Sequence, residues 1–395
     1  MASSYSQDSI SSKKEHFLGI AILLGFLLPH SNTLFLLVNP ILCLLLVASY
    51  PKTRHMYPFV LVVVMSIIIS LILNIQDASQ KALLSTITIL LYLICFPFVG
   101  QTRIRNVYLY ICLSYIIFSQ LVYLFGISSL SNIFEQIYPL SEEDVSYNTY
   151  VSMRDNLGFD TLFDYRLGGI YHNGNHTARY ITFLLALFLI NNQGRKSRGI
   201  LIFSAIAYAG VLFTGSRTGF IVSSLILYFG IFRQQLYTKT LKYIFVSFLI
   251  IGIVYLLYSG ISLRGFDVES GFHNSANSKW YTLLYYLENE DSIVALLLGH
   301  LDPSLFKGQY GLSLPMFDSE YGDIIYCYGF IGFIAFIYCF YKLFKLVDKS
   351  HRFFFFVCLW MISSTIIVSF RAFFLFMLLL SIIFNKRKVM IVNSI

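Results

Sequence analysis

The sequence predicts an all-α integral membrane protein with about 12 transmembrane helices and two long outer-face loops, one containing an amphipathic helix. Three observations lead to this fold class. Of the 395 residues, 57% are hydrophobic. Only 12% are charged, roughly half the fraction that is usual in soluble domains. The mean hydropathy is +0.71, and the apolar residues form runs of about the length that a helix needs to cross a bilayer.

The apolar runs are separated from one another by polar or turn-forming residues, so each is predicted to be one helix. We expect the first to be retained as a span, because no small-residue cleavage site follows it. The whole chain, 1–395, is treated as a single polytopic membrane domain. The predicted spans are 17–29, 33–50, 58–74, 82–99, 106–126, 173–191, 199–215, 218–232, 241–259, 320–341, 353–369 and 372–384.

The charge distribution predicts the orientation of these spans. One set of alternate connections holds most of the 28 basic residues, and the other set holds most of the 20 acidic residues. Basic residues accumulate on the cytoplasmic side of membrane proteins. The pattern places both termini in the cytoplasm and two long loops, 127–172 and 260–319, on the outer face. The net charge of +8 is therefore a topology signal and requires no nucleic-acid partner.

The first candidate site is a polar segment that closes the first long loop and opens the next span. If a helix begins near residue 171, four polar residues share one face of it and form a polar stripe. They are His172, Asn175, His176 and Arg179, at positions i, i+3, i+4 and i+7. Such a face is costly against lipid, so we expect it to line a wet cavity and bind sugar hydroxyls and phosphate. The alternative is a polar helix start wetted by headgroup water. The candidates are Arg166, His172, Asn173, Asn175, His176 and Arg179.

The second candidate site is the turn Thr214-Gly215-Ser216-Arg217, between two apolar runs. Gly215 and Gly219 permit a tight turn or a close approach of two backbones. Arg217 then stands at the outer boundary, where a guanidinium suits phosphate oxygens better than an ammonium does. The alternative is an arginine that extends to the lipid headgroups.

The second long loop and the following span supply the other candidates. Residues 279–287 have the pattern of an amphipathic helix that can lie in the membrane interface. Acidic residues at the start of the next span either cap that helix or include a general base with a raised pKa. The candidates are Arg264, Lys279, Asp318, Glu320 and, between the last two spans, Arg371.

No cofactor and no metal are expected. All six cysteines lie in apolar runs, which favours small core residues over a disulfide framework. His172 and His176 have a spacing that a metal accepts, but no acidic residue lies between them as in H-E-x-x-H. A Walker pattern is absent from the sequence.

The candidate residues fall in four segments, called here the first to fourth stations: residues 166–179, the turn 214–217, the second long loop 260–319 and the segment 317–332 at the start of the next span. In this order, the four stations resemble the O-antigen polymerase and O-antigen ligase superfamily. The resemblance lies in Arg166-Leu167-Gly168-Gly169 before Asn173-Gly174-Asn175, in Thr214-Gly215-Ser216-Arg217, and in Asp318-Ser319-Glu320-Tyr321 before Gly329 and Gly332. It covers about residues 160–335. Gly174 stands where the family carries proline. Asp318 stands where the ligase branch tends to carry its histidine base, which favours the polymerase branch.

The resemblance implies a glycosyltransferase of the bacterial cytoplasmic (inner) membrane, with its active site on the outer face. It would polymerise a surface polysaccharide (O-antigen, capsule or exopolysaccharide) by moving the growing glycan from undecaprenyl pyrophosphate to a lipid-linked repeat unit. Because negative charge would build on the departing pyrophosphate, we expect Arg166, Arg217 and Arg264 to stabilise it, with Arg179 or Arg371 assisting. Asp318, Glu320 or His172 would orient or deprotonate the acceptor hydroxyl. A chain-length regulator and a flippase are further candidate partners.

Two other functions are compatible with the same residues. A ligase of the same superfamily would move finished glycan to a different acceptor. A lipid-linked oligosaccharide flippase or other transporter would carry charged residues in the middle of its spans, whereas most ionisable residues of this chain fall at span ends.

Overall fold

A computed structural model describes most of the helical core. It covers residues 2–28, 58–95, 104–138, 167–193, 197–232, 275–302, 320–347, 349–362 and 372–380, with the single residues 38, 243, 247, 250 and 305. Across these ranges the chain is helical almost throughout and has no strand, so the all-α class is confirmed for this part of the chain. The predicted spans 33–50 and 241–259 lie almost entirely outside it.

Most of the helices coincide with predicted apolar runs to within a few residues. The first helix begins well before its run, and three of the others lie in the two predicted long loops. They are α1 (Ala2–Leu27), α2 (Pro58–Asn74), α3 (Gln80–Cys95), α4 (Asn106–Leu124), α5 (Ser128–Ile137), α6 (Gly174–Asn191), α7 (Arg198–Phe213), α8 (Arg217–Leu227, extended by a wider turn over Tyr228–Phe232), α9 (Ser275–Asn289), α10 (Ile293–Leu298) and α11 (Glu320–Leu346), followed by the 3-10 segment Lys349–Ile362. Residues 372–380 are also helical.

Two of these helices, α4 and α11, are long and apolar enough to cross a membrane. Shorter apolar helices cover Glu15–Leu27, Pro58–Asn74, Ala82–Ile94, Arg198–Phe213 and Arg217–Ile231. The predicted number of 12 spans is therefore not confirmed. These shorter helices have 10–17 residues, and α6 carries polar residues and an arginine in its first turns.

Helix α6 is central among the described helices. Every residue from Thr177 to Asn191 is buried, and its neighbours are α4, α7, α8 and the segment Lys349–Ile362. A helix that is enclosed on all sides can carry polar groups, because protein groups rather than lipid surround them.

Polar contacts are concentrated at two ends of the bundle. The end at which α4 begins is called the lower end, and the end at which α4 finishes is called the upper end. At the lower end, Arg105 forms an ion pair with Glu15, with 3.0 Å between the two charged atoms. At the upper end, the Tyr138 hydroxyl donates to the Leu27 carbonyl at 2.7 Å. Arg105 and Glu15 are both predicted to be cytoplasmic, and Tyr138 is predicted to lie in an outer loop, beside the outer end of the first span that contains Leu27.

Helix α11 is interrupted at Gly329, which has φ +65° and ψ −176°. Glycine adopts this positive φ without steric cost, so the helix breaks at this residue. The break frees the carbonyls of Tyr326 and Cys327, which accept from the backbone N–H groups of His300 (2.7 Å) and Leu301 (3.0 Å). The break therefore docks part of the second long loop against α11.

Candidate functional site

The first station forms a tight turn followed by a capped helix. Gly168 and Gly169 have no room for a side chain: a Cβ on Gly168 would lie 2.3 Å from the backbone of His172. Asn173 then caps α6, because its side chain accepts from the Asn175 N–H at 2.9 Å. The glycine pair and the asparagine cap explain why the chain can turn here and start a helix at Gly174.

His172 lies outside this helix, so the predicted four-residue stripe is wrong at its first position. The residue ends the turn in a left-handed conformation (φ +55°), which breaks the helical spacing. Its ring is buried, and its Nε2 lies 2.6 Å from the Tyr138 carbonyl oxygen. The position fits a residue that links α5 to the start of α6.

The remaining members of the predicted stripe differ in exposure. Asn175 is exposed, His176 is half-buried and Arg179 is only 1% exposed. The Arg179 guanidinium lies 5.0 Å from the centre of the Tyr180 ring, and its Nη2 donates to the Tyr180 hydroxyl at 3.2 Å. Buried arginines are rare in proteins, so this one carries a strong functional or structural constraint.

The second station is a turn stabilised by its own hydroxyls. Gly215 has φ +62°, as a tight turn at this point requires. Ser216 caps α8 by accepting from the Gly219 N–H at 3.2 Å, and its own N–H donates to the Thr214 hydroxyl at 3.2 Å. Arg217 is the first residue of α8 and is half-buried.

The structure brings the first two stations together. A Cβ on Gly219 would lie 2.7 Å from the Ala178 Cβ, so α8 and α6 touch near their starts. The Leu167 N–H also donates to the Phe213 carbonyl at 3.1 Å. The two helix starts, with Arg179 on one and Arg217 on the other, are therefore neighbours.

A buried glutamine that the sequence reasoning missed joins the same elements. Gln120 of α4 is fully buried, and its Nε2 donates to the carbonyls of Leu167 and Gly210, both at 3.1 Å. The adjacent Ser119 hydroxyl accepts from the Ile170 N–H at 3.2 Å. The only signal in the sequence is a Ser-Gln pair inside an otherwise apolar run.

Two helix N-termini point to the same end of this arrangement. Helices α6 and α8 both begin at the upper end, and the N-terminus of a helix carries a partial positive charge. Two such termini side by side with two arginines form an environment that favours an anionic group.

The third station is an aromatic and ionic cluster. Glu290 pairs with His300 at 2.7 Å. The His300 ring stacks on the Tyr326 ring at 4.8 Å, and the Tyr286 ring lies 5.1 Å from Tyr326. Burial raises the pKa of Tyr286, and the negative charge of Glu290 raises it further, so the phenol remains protonated. The sequence correctly predicts a helix over 279–287, and α9 extends beyond it at both ends.

The fourth station carries buried carboxylates at and near the start of α11. Glu320 and Asp323 are fully buried, and Asp302 is 2% exposed. Asp302 accepts from the Ser79 N–H at 2.8 Å and so supports the start of α3. Of these three residues, only Glu320 was among the predicted site residues. Asp302 precedes a proline, a pattern that is typical of a turn at the surface, so the sequence does not indicate that its side chain is buried.

The third and fourth stations are joined through the break in α11, and the segment Lys349–Ile362 contacts α6, α8 and α11. Outside the residues that the structure describes lie Arg166, Arg264, Asp318, Arg371 and the side chain of Lys279.

Comparison of the chain with models of known protein families gives no match, and comparison with curated proteins gives none either.

Proposed function

We propose that the protein is a membrane glycosyltransferase that polymerises a bacterial surface polysaccharide from undecaprenyl-pyrophosphate-linked repeat units. The observation that carries this proposal is the close approach of Gly219 to Ala178, which brings together the starts of α8 and α6. Arg217 is the first residue of α8, and Arg179 lies in the second turn of α6. This group of positive charges suits a pyrophosphate.

The chemistry explains why such a group is useful. Transfer breaks the bond between the anomeric carbon of the donor glycan and the pyrophosphate, and forms a bond from that carbon to an acceptor hydroxyl. Negative charge grows on the departing pyrophosphate, while the acceptor loses a proton to a base. Preorganised positive groups that meet the growing charge are often the largest contribution to catalysis.

In this scheme Arg217 is the residue best placed to contact the pyrophosphate, because it is half-buried at the upper end, whereas Arg179 is enclosed. Arg166 and Arg264 are proposed to assist. Glu320 or His172 is proposed to orient the acceptor hydroxyl or take its proton, and Asp318 is the third candidate. The rings of Tyr286, His300 and Tyr326 pack against one another, and His300 pairs with Glu290, so these residues are proposed to hold the second loop in place.

The membrane location is part of the proposal. It is supported by the two span-compatible helices and by the agreement between the predicted sides and the contacts at each end of the bundle. The upper end would face outward, where the lipid pyrophosphate lies at the headgroup level.

The proposal is tested by complementing a deletion strain with Arg217→Ala, Arg217→Lys and the control Arg198→Ala, whose arginine is exposed at the lower end. Loss of one preorganised donor costs about 10²–10³ in rate, so we expect Arg217→Ala to abolish long polymer. Lysine keeps the charge but not the two-point geometry, so Arg217→Lys should give short or sparse chains. Arg198→Ala should be normal.

The readout is a gel of the glycan ladder, at matched membrane levels of each variant. Normal ladders from both Arg217 variants would overturn the role of this arginine. The deletion strain itself separates the other functions: single-unit glycan indicates a polymerase, unattached polymer indicates a ligase, and repeat units retained on the cytoplasmic side indicate a flippase.

A further inference from the structure

Helix α5 folds back against the second half of α4 within the first long loop. Phe134 is its buried anchor: the ring centre lies 5.9 Å from that of Tyr115 and 6.2 Å from that of Phe118. Tyr138, directly after α5, reaches the Leu27 carbonyl with its hydroxyl. The helix is therefore held by the bundle along one face.

The two flanks of α5 beside this anchored face differ in polarity. With 100° between successive residues, Ile133 and Ile137 lie on one flank, and they are 48% and 46% exposed. Ser131 and Glu135 lie on the other flank. The face opposite the anchor carries the exposed polar residues Asn132 and Gln136. One flank is thus apolar and open, while the remaining open surface is polar.

The apolar flank continues a larger apolar surface. Phe118 of α4 is 48% exposed, and its ring packs against Phe134. Ile133 and Ile137 lie beside Phe134 on the surface of α5, at i−1 and i+3. Phe125, in the connection between the helices, is 70% exposed. Because α4 is one of the two span-compatible helices, its open apolar side is the side that lipid would cover.

We propose that α5 is a membrane-surface helix whose Ile133 and Ile137 insert among the acyl chains of the outer leaflet while Asn132 and Gln136 face the headgroups and water. The inference rests on the proposed membrane location of the chain. A helix with one polar and one apolar side is the usual form of an interfacial element, and charge attraction is not needed here. The partner is the lipid acyl chain rather than a second protein, since the isoleucine flank is continuous with the lipid-facing side of α4.

This placement would set the depth of the candidate site. The carbonyl of Tyr138, at the end of α5, lies 2.6 Å from His172 Nε2. A helix seated at the boundary between acyl chains and headgroups thereby holds His172 close to the level of a lipid-linked phosphate.

The test uses single-tryptophan variants in lipid vesicles. The two native tryptophans, Trp280 and Trp360, are replaced by phenylalanine, and tryptophan is introduced as Ile133→Trp, Ile137→Trp, Asn132→Trp, Gln136→Trp or Phe118→Trp. Each variant is checked for monodispersity and then reconstituted with lipids brominated near the headgroup end or near the methyl end of the acyl chain.

We expect tryptophan at 133 and 137 to be quenched several-fold more strongly than at 132 and 136, and most strongly by bromine near the headgroup end. Equal quenching at all four positions, with Phe118→Trp quenched, would overturn the interfacial role of α5 and leave the membrane location intact. Absence of quenching at all five positions, including Phe118→Trp, would overturn both the interfacial role of α5 and the membrane location of the chain. Two isoleucine positions are used so that a folding defect in one leaves the other to decide.

Discussion

Gln120 shows how one side chain can hold the candidate site together. Its amide spans two backbone carbonyls, one beside the first station and one on α7 below the second. The sequence predicts the arginines because isolated charges at span ends are conspicuous. It does not predict the role of Gln120, because the two carbonyls are 47 and 90 residues away and only the packed bundle brings them to one amide.

We predict that Gln120→Leu destabilises the protein. The substitution removes the donor from two buried carbonyls, and each unsatisfied buried group costs on the order of 1–3 kcal/mol. The melting temperature in detergent should fall clearly below that of the parent protein. The matched control is Gln136→Leu, because Gln136 is exposed and substitution there removes no described hydrogen bond. Equal melting temperatures for the two variants would contradict this assignment.

At the scale of elements, the break in α11 and the loop that docks into it depend on two glycines. A Cβ on Gly299 would lie 2.3 Å from the backbone of Cys327, and a Cβ on Gly329 would lie 2.2 Å from the backbone of Leu297. Each glycine thus makes room for the other's segment. The sequence shows both glycines but not their pairing, since a glycine in an apolar run is equally compatible with ordinary helix packing.

We predict that Gly299→Ala and Gly329→Ala are both severely destabilising. Alanine at positive φ costs about 1–2 kcal/mol, and overpacking adds typically 1–3 kcal/mol. Gly126→Ala separates the two effects, because Gly126 also has positive φ (+62°) but nothing lies within 4 Å of the added Cβ. Folded yield after extraction, together with the melting temperature, measures the difference. If Gly126→Ala were as damaging as Gly329→Ala, the close-approach argument would be wrong.

Helix α5 is the element that the sequence contained and the prediction overlooked. Residues 127–172 were predicted as one long loop, yet Leu130, Ile133, Phe134 and Ile137 recur at i, i+3, i+4 and i+7. The helix has only ten residues, so its pattern is weak beside those of the long apolar runs.

At the scale of the whole molecule, the charge pattern and the contacts divide the chain into the same two ends. The positions of most long helices could be predicted because the length of an apolar run and the charges beside it are local properties of the sequence. The number of spans is not confirmed, because five of the apolar helices are shorter than a span requires and the predicted spans 33–50 and 241–259 lie almost entirely outside the described residues.

We predict that the two ends lie on opposite sides of the membrane. Cysteine is introduced at the exposed Ser129, near the upper end, or at the exposed Arg198, at the lower end. A membrane-impermeant maleimide should label Ser129→Cys in intact spheroplasts and Arg198→Cys only after permeabilisation. The parent protein with its native cysteines sets the background. Labelling of both variants from outside would refute the predicted orientation.

The contacts of α2 have a consequence for the timing of biosynthesis. The Ser70 hydroxyl donates to the Cys327 carbonyl, and the Asn74 amide donates to the Gly299 carbonyl, across 257 and 225 residues of chain. At translation rates of about 5–20 residues per second, these acceptors are synthesised roughly 10–50 s after the helix that needs them. Helix α2 therefore remains incompletely packed until the last third of the chain has been synthesised. The finished bundle can assemble only late in synthesis or after release from the ribosome.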